Sequence, residues 1–145
     1  MTERPIVLNA EQVRAVLDGR KMQHRIPVKF PFFDRNMGCE LAGNELAGEI
    51  AAGNYLNSKF GKPGDRLWVR ETWQGPLIDP YKFFEMHREH EPFQTPEFFE
   101  YAADGGPRPE YTDDDGNLRH GWRSSTSMPR WASRITLEIT GVRVE

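Results

Sequence analysis

Chemistry in this chain starts with a carboxylate that the local pattern turns inward. The stretch Gly61-Lys62-Pro63-Gly64-Asp65-Arg66-Leu67-Trp68-Val69-Arg70-Glu71-Thr72-Trp73 alternates after its turn. Leu67, Val69, Glu71 and Trp73 share one face, and Arg66, Trp68, Arg70 and Thr72 the other. The first face is apolar except for Glu71. A carboxylate among apolar neighbours needs a cation or several donors, or it takes up a proton. A source of cations follows the first helix: Gly19-Arg20-Lys21-Met22-Gln23-His24-Arg25 puts Lys21, His24 and Arg25 within five residues. Two readings stand side by side. These groups meet Glu71, or they form an exposed basic turn favoured by the negative end of a helix dipole. In the first case Lys21 acts with Glu71, and neutral His24 serves as general base to a water, because histidine titrates near neutral pH.

Two basic-aromatic clusters form a second constellation. One is Trp68, Arg70 and Trp73; the other is Trp122, Arg123, Arg130, Trp131 and Arg134. Aromatic faces that stack bases beside arginines that hold phosphates suit single-stranded nucleic acid or a nucleobase. Tryptophan is also the bulkiest core filler, so each ring has packing as its competing role. Metal chemistry finds less. His87 and His90 are three apart on a candidate helix, but no third ligand is signalled. Asp113, Asp115 and Asn117 begin like a calcium loop, yet Leu118 stands where glycine is required and Ser124 where glutamate is required. No nucleophile elbow surrounds Ser124 to Ser127, and glycine-rich phosphate cradles are missing. The expectation is no metal and no cofactor.

These groups need elements to position them. Pro63 and Gly64 suit the two central positions of a type II turn, and a strand follows. Pro5 to Leu8 reads as a short strand. Asn9 is placed as N-cap, with Gln12 as its capping-box partner. Val13, Val16 and Leu17 keep helical spacing, and Gly19 is placed to end the helix. Arg20 to Lys29 reads as a strand or extended loop, with Pro27 arguing for an edge. Pro31, Phe32 and Phe33 suggest a loop anchored by aromatics. Leu41 to Ile50 predicts a short helix, and Tyr81 to His90 another. Glu97 to Ala102 reads as a strand, and Gly105 to Pro109 and Asp113 to Asn117 as turns. Ala132 to Val144 gives the clearest strand pattern, with Ile135, Leu137 and Ile139 facing one way. Short strands with few helices and no βαβ alternation predict an α+β protein: a small mixed β-barrel with flanking short helices.

The 145 residues suggest one domain, 1–145. The net charge of −3 hides an asymmetry: Asp79 to Leu118 holds 11 acidic and 3 basic residues, leaving +5 elsewhere. The expectation is an acidic insert at about 79–118 on a body with a local basic face. One cysteine, Cys39, rules out an internal disulfide and fits a reducing compartment. No apolar run approaches the roughly 20 residues of a membrane span, and the first residues lack a signal-peptide pattern. A cytoplasmic location is expected, with no membrane partner.

Gly19-x-Lys21 after a short capped helix, then Lys62-x-Gly64-Asp65 leading into Leu67-x-Val69, resembles the ASCH domain, a PUA-like β-barrel family. Trp68-Val69-Arg70-Glu71-Thr72-Trp73 and Met128-Pro129-Arg130-Trp131-Ala132-Ser133-Arg134 resemble the small ASCH proteins of phages and prophages. The resemblance spans most of the chain outside the acidic middle. It implies a barrel cleft that binds RNA, a nucleobase or a nucleoside. Some members are amidohydrolases acting on the acylated N4 amine of cytidine, through a lysine, a threonine three residues on, and a later glutamate. Here Lys21 is kept, His24 replaces the threonine, and Ile26 with Arg25 alongside replaces the motif's arginine. The segment carrying the family's glutamate is missing before the chain stops at Glu145. The resemblance therefore implies a binder that is catalytically weak or inert. Its contacts would be Lys21, Arg25, Arg70, Trp73, Arg130, Trp131 and Arg134, in the cytoplasm of a bacterial host. The rivals are an N4-acylcytidine amidohydrolase using Lys21, His24 and Glu71, and a phage module that binds a host protein through its acidic insert.

Overall fold

Local signals set the first elements of the computed structural model, which describes residues 2–77, 88, 89, 91–113 and 115–145. The Asn9 side chain accepts from the Gln12 N–H at 2.8 Å, and the Gln12 side chain accepts from the Asn9 N–H at 3.0 Å. This reciprocal cap starts helix α1, Ala10–Leu17. At the other end Gly19 adopts a φ of +74°, and the Gly19 and Arg20 N–H groups donate to Val16 and Ala15. That pattern satisfies the last carbonyls of the helix. Helix α2 spans Gly43–Ala51 and buries Leu46 and Ile50; the sequence reading started it two residues earlier and ended it one residue earlier.

The strands are β1 (Glu3–Val7), β2 (Phe32–Phe33), β3 (Glu40–Leu41), β4 (Arg66–Arg70), β5 (Trp73–Gln74), β6 (Glu100–Tyr101), β7 (Glu110–Thr112), β8 (Leu118–His120) and β9 (Thr136–Glu138). They form a three-stranded sheet in the order β1-β4-β9 and the pairs β2-β3, β5-β6 and β7-β8. The Arg66 N–H bonds to Thr2 and the Leu8 N–H to Arg70, so β1 and β4 advance together. The Val69 N–H to Ile135 and the Ile139 N–H to Asp65 run the opposite way, so β9 is antiparallel to β4. The protein is α+β, and the described strands close no barrel. No described helix is long and apolar enough to cross a membrane.

The chain divides into two compact units. The first comprises Met1–Arg4, Gln23–Leu67 and Thr136–Glu145. In it, the Asp65 carboxylate accepts from the N–H groups of Thr2 and Lys62 and from Arg4. Gly61 is required beside it, because a Cβ there would collide with the Arg4 guanidinium and the Asp65 carboxylate. The predicted turn is present: the Asp65 N–H donates to Lys62 at 3.0 Å, and Gly64 has a φ of +94°. Buried Asn57 donates to Asp34 and Glu49 and accepts from the Arg35 N–H.

The second unit comprises Pro5–Met22 and Trp68–Ile135. Its aromatic core holds Trp73, Phe99, Tyr101, Met128 and Ala132. One reading changes here. The segment read as one strand from Ala132 to Val144 has a single helical turn at Arg130–Ala132 and a strand only at Thr136–Glu138. Within the acidic stretch Phe93, Phe99, Tyr101 and Ala103 are buried, and β6 pairs with β5. Each buried aromatic side chain contributes roughly 1.5–3 kcal/mol, which draws an acidic segment into the core despite its charge. The helix expected at Tyr81 to His90 falls almost wholly outside the described residues.

Candidate functional site

Glu71 follows the last residue of β4, and the strand's alternation carries it inward to 1% exposure. Arg134 meets it there. Its Nη2 donates to Oε1 at 3.0 Å and its Nε to Oε2 at 3.2 Å, so both carboxylate oxygens are taken by one guanidinium. The remaining Arg134 nitrogen, Nη1, reaches Asp104 at 2.9 Å. The guanidinium also lies over the Tyr101 ring, 4.1 Å from its centroid. Two hydroxyls fix this arrangement. Ser133 donates to the Val69 carbonyl at 2.8 Å, and Tyr101 donates to the Ala132 carbonyl at 2.6 Å. They bracket the turn that delivers Arg134.

Burial pushes the Glu71 carboxyl above the ordinary glutamate range, and the Arg134 bonds and charge offset part of that rise. Burial opposes the charge on Arg134, but its contacts with Glu71 and Asp104 outweigh burial and hold it more firmly protonated. Tyr101, buried and near Glu71, is pushed up to about 12 and stays a hydrogen-bond donor at neutral pH.

Glu71 therefore finds its cation in Arg134 rather than in Lys21. The physical reason is geometric: a planar guanidinium can bond two carboxylate oxygens and stack on a ring at once, whereas an ammonium is a point charge. The charges that act on Glu71 are those of Arg134 and Asp104. Each Glu71 oxygen accepts an Arg134 N–H, and at 1% exposure the carboxylate is shut off from the solvent side from which a substrate would approach a general base. Lys21 is half-buried, with its backbone N–H on the Ala15 carbonyl at the end of α1. His24 belongs to the first unit, where its ring meets Phe60 edge-on at 5.8 Å. Arg25 is exposed in that same unit, beside Gln23 and Glu145.

The basic-aromatic residues sort into two groups. Trp73 is 3% exposed and donates from Nε1 to the Ser124 carbonyl, so it is core and offers no face to a ligand. Arg123 lies over it and also bonds Gln74, whose amide spans Gly121, Gly75 and Arg123. Arg134 is spent on the buried pair, which removes it as a phosphate contact. Arg70, Arg130 and Trp131 remain at the surface of the second unit. Both guanidinium groups lie over one indole, Trp68, with Arg70 at 4.8 Å and Arg130 at 5.8 Å from its centroid. Trp131 is 37% exposed and rests on Phe99 at 5.4 Å. Arg70 is half-buried, and its buried Nε has no hydrogen-bond partner among the described residues. An unmade bond of this kind costs about 1–3 kcal/mol.

Tyr101, Asp104 and Ser133 were missed from sequence. Their partners lie at separations of 31, 30 and 64 residues, and no local pattern encodes such distances. Among the described residues no group of three or more histidine, cysteine, aspartate or glutamate side chains could hold a metal. His87 and His90 lie outside the described residues. Asp113 accepts from the Asp115 and Asn117 N–H groups and from Arg119, which closes the β7-β8 hairpin. No family model, curated protein or solved structure matches the chain.

Proposed function

We propose that the protein binds single-stranded RNA or a nucleobase through Arg70, Arg130 and Trp131, without turnover. The observation that carries this reading is Arg70: a half-buried guanidinium held over the Trp68 indole, with Arg130 over the same ring. A phosphate or base carbonyl supplies the acceptors such a guanidinium wants, and Trp131 supplies a face on which an unpaired base stacks. The reading is in keeping with an ASCH-like protein of the PUA group, of which the β1-β4-β9 sheet would be the preserved part. It is also in keeping with a phage or prophage protein working in a bacterial cytoplasm. The sealed Glu71–Arg134 pair is why binding is preferred over amidohydrolase chemistry.

Tryptophan fluorescence tests this. Titration with oligouridylate should quench the emission, and Trp131→Leu should abolish most of the quench while weakening binding by about tenfold, the scale of one base stack. Equal quenching by duplex RNA, or an unchanged affinity in Trp131→Leu, would count against the proposal. Incubation with N4-acetylcytidine should give no product above background.

A further inference from the structure

In the second unit, the stretch from Met128 to Arg134 alternates between anchor and surface. Met128, Ala132 and Ser133 are buried, and Arg130 and Trp131 between them are exposed. The backbone bonds of the turn, from the Ala132 N–H to Pro129 and from the Ser133 N–H to Arg130, stay inside it. Side chains tie it to its surroundings. Three such ties follow one another: Ala132 accepts from Tyr101 of β6, Ser133 donates to Val69 of β4, and Arg134 grips Glu71 with two nitrogens and Asp104 with the third.

These ties are unequal. A single hydroxyl bond fixes a distance and leaves the angle soft. A guanidinium forked onto both oxygens of one carboxylate is fixed in plane and direction, and the Tyr101 ring 4.1 Å away holds it from the side. Glu71 is also the chain neighbour of Arg70. One ion pair therefore joins the end of β4 that carries Arg70 to the turn that carries Arg130 and Trp131. Arg70 and Arg130 both lie over Trp68, and like charges gathered on one ring repel each other. A turn released from its fork would let Arg130 move away. We infer that Glu71, Arg134 and Asp104 are positioning residues, which clamp the Arg130–Ala132 turn to β4 so that Arg130 and Trp131 meet a ligand together with Arg70. The ligand rests on the RNA reading above; the clamp rests on the geometry alone.

Three variants of the full chain test it. Arg134→Lys keeps the charge and loses the fork. Asp104→Ala removes only the outer partner, which is 53% exposed. Glu71→Leu with Arg134→Met replaces the pair by apolar volume. Each is read by the heteronuclear ¹⁵N NOE at residues 130–132 without ligand, and by oligouridylate affinity. Arg134→Lys and the double variant should lower the NOE at 130–132 while the α1 amides keep parent values. Both should bind oligouridylate weaker by about fivefold or more, since the ligand must then order the turn itself. Asp104→Ala should move both readouts the same way by less. The double variant separates positioning from stability, because apolar packing restores stability without restoring the fork. Binding and NOE that return with stability would overturn the inference, as would parent-like NOE and affinity in Arg134→Lys and Asp104→Ala. A parent that does not bind oligouridylate would sink the RNA reading, and the NOE would then decide the clamp by itself.

Discussion

The Glu71–Arg134 pair holds a buried carboxylate with a guanidinium that is itself only one-fifth exposed. Such a pair is weak evidence for net stability, yet breaking it from one side is costly, because the surviving charge is left buried without compensation. Arg134→Met should therefore destabilise the protein by about 3 kcal/mol. Combining it with Glu71→Leu should recover part of the loss. Urea unfolding of the two single variants and the double variant measures this; a double variant as unstable as the sum of the singles would show that the two side chains do not act on each other. The inward turn of Glu71 was legible because strand alternation is local. Its partner was not, because Arg134 lies 63 residues away and the nearer-looking choice, Lys21, rested on charge alone. Arg70 was read as a ligand contact, and the Trp68 ring beneath it only as a member of the cluster.

At the scale of elements, the signals that worked were those carried by backbone chemistry within a few residues. Asn9, Gln12 and Gly19 gave the start and stop of α1, and Pro63-Gly64 gave the turn before β4. Replacing Asn9 by alanine should cost about 1 kcal/mol, the usual worth of a side-chain cap. It should appear as a lower urea midpoint with an unchanged slope; no shift would mean that packing of Val13 alone holds the helix end. The strand read through Ala132 failed for a definite reason. The turn at Arg130–Ala132 is bracketed by the Tyr101 and Ser133 hydroxyls on distant carbonyls. Those bonds outweigh an alternating pattern that extends only from Ile135 onward. The strand read from Glu97 to Ala102 is kept only as β6, Glu100–Tyr101, and its pairing with β5 had no local signal, since each strand has two residues.

Across the whole molecule, charge balance is distributed unevenly between groups that favour opposite ends of the acid range. The Asp65 carboxyl is held below its ordinary value first by the Thr2 N–H, Asp34 by the Met37 N–H, and Asp113 by Arg119. Their stabilising contribution is full above the unfolded aspartate value of about 3.9 and is lost as pH falls through their lower folded values. Glu71 works in the opposite sense. Its raised value makes its contribution full below the unfolded glutamate value of about 4.3, and that contribution is lost as pH rises through its folded value. Urea midpoints from pH 3 to 7 should therefore fall steeply at the acid end. Glu71→Gln should gain on the parent across the window just above the ordinary glutamate value. Parallel profiles for the two proteins would mean that Glu71 titrates alike folded and unfolded. The acidic composition of residues 79–118 was plain in the sequence, but the burial of Phe93, Phe99 and Tyr101 within it was not. Net charge describes a segment's surface and says nothing of which aromatic rings it sends into a core.

The RNA reading rests on Arg70 acting as a phosphate contact, and the salt dependence of binding measures that directly. Fluorescence anisotropy of a labelled oligouridylate should show affinity falling roughly tenfold between 50 and 200 mM salt, as two or three phosphate contacts on a single strand require. In Arg70→Gln the slope of log affinity against log salt should be shallower by about 0.7, one contact's share. An affinity that does not change with salt, or a slope in Arg70→Gln identical to that of the parent, would contradict the account.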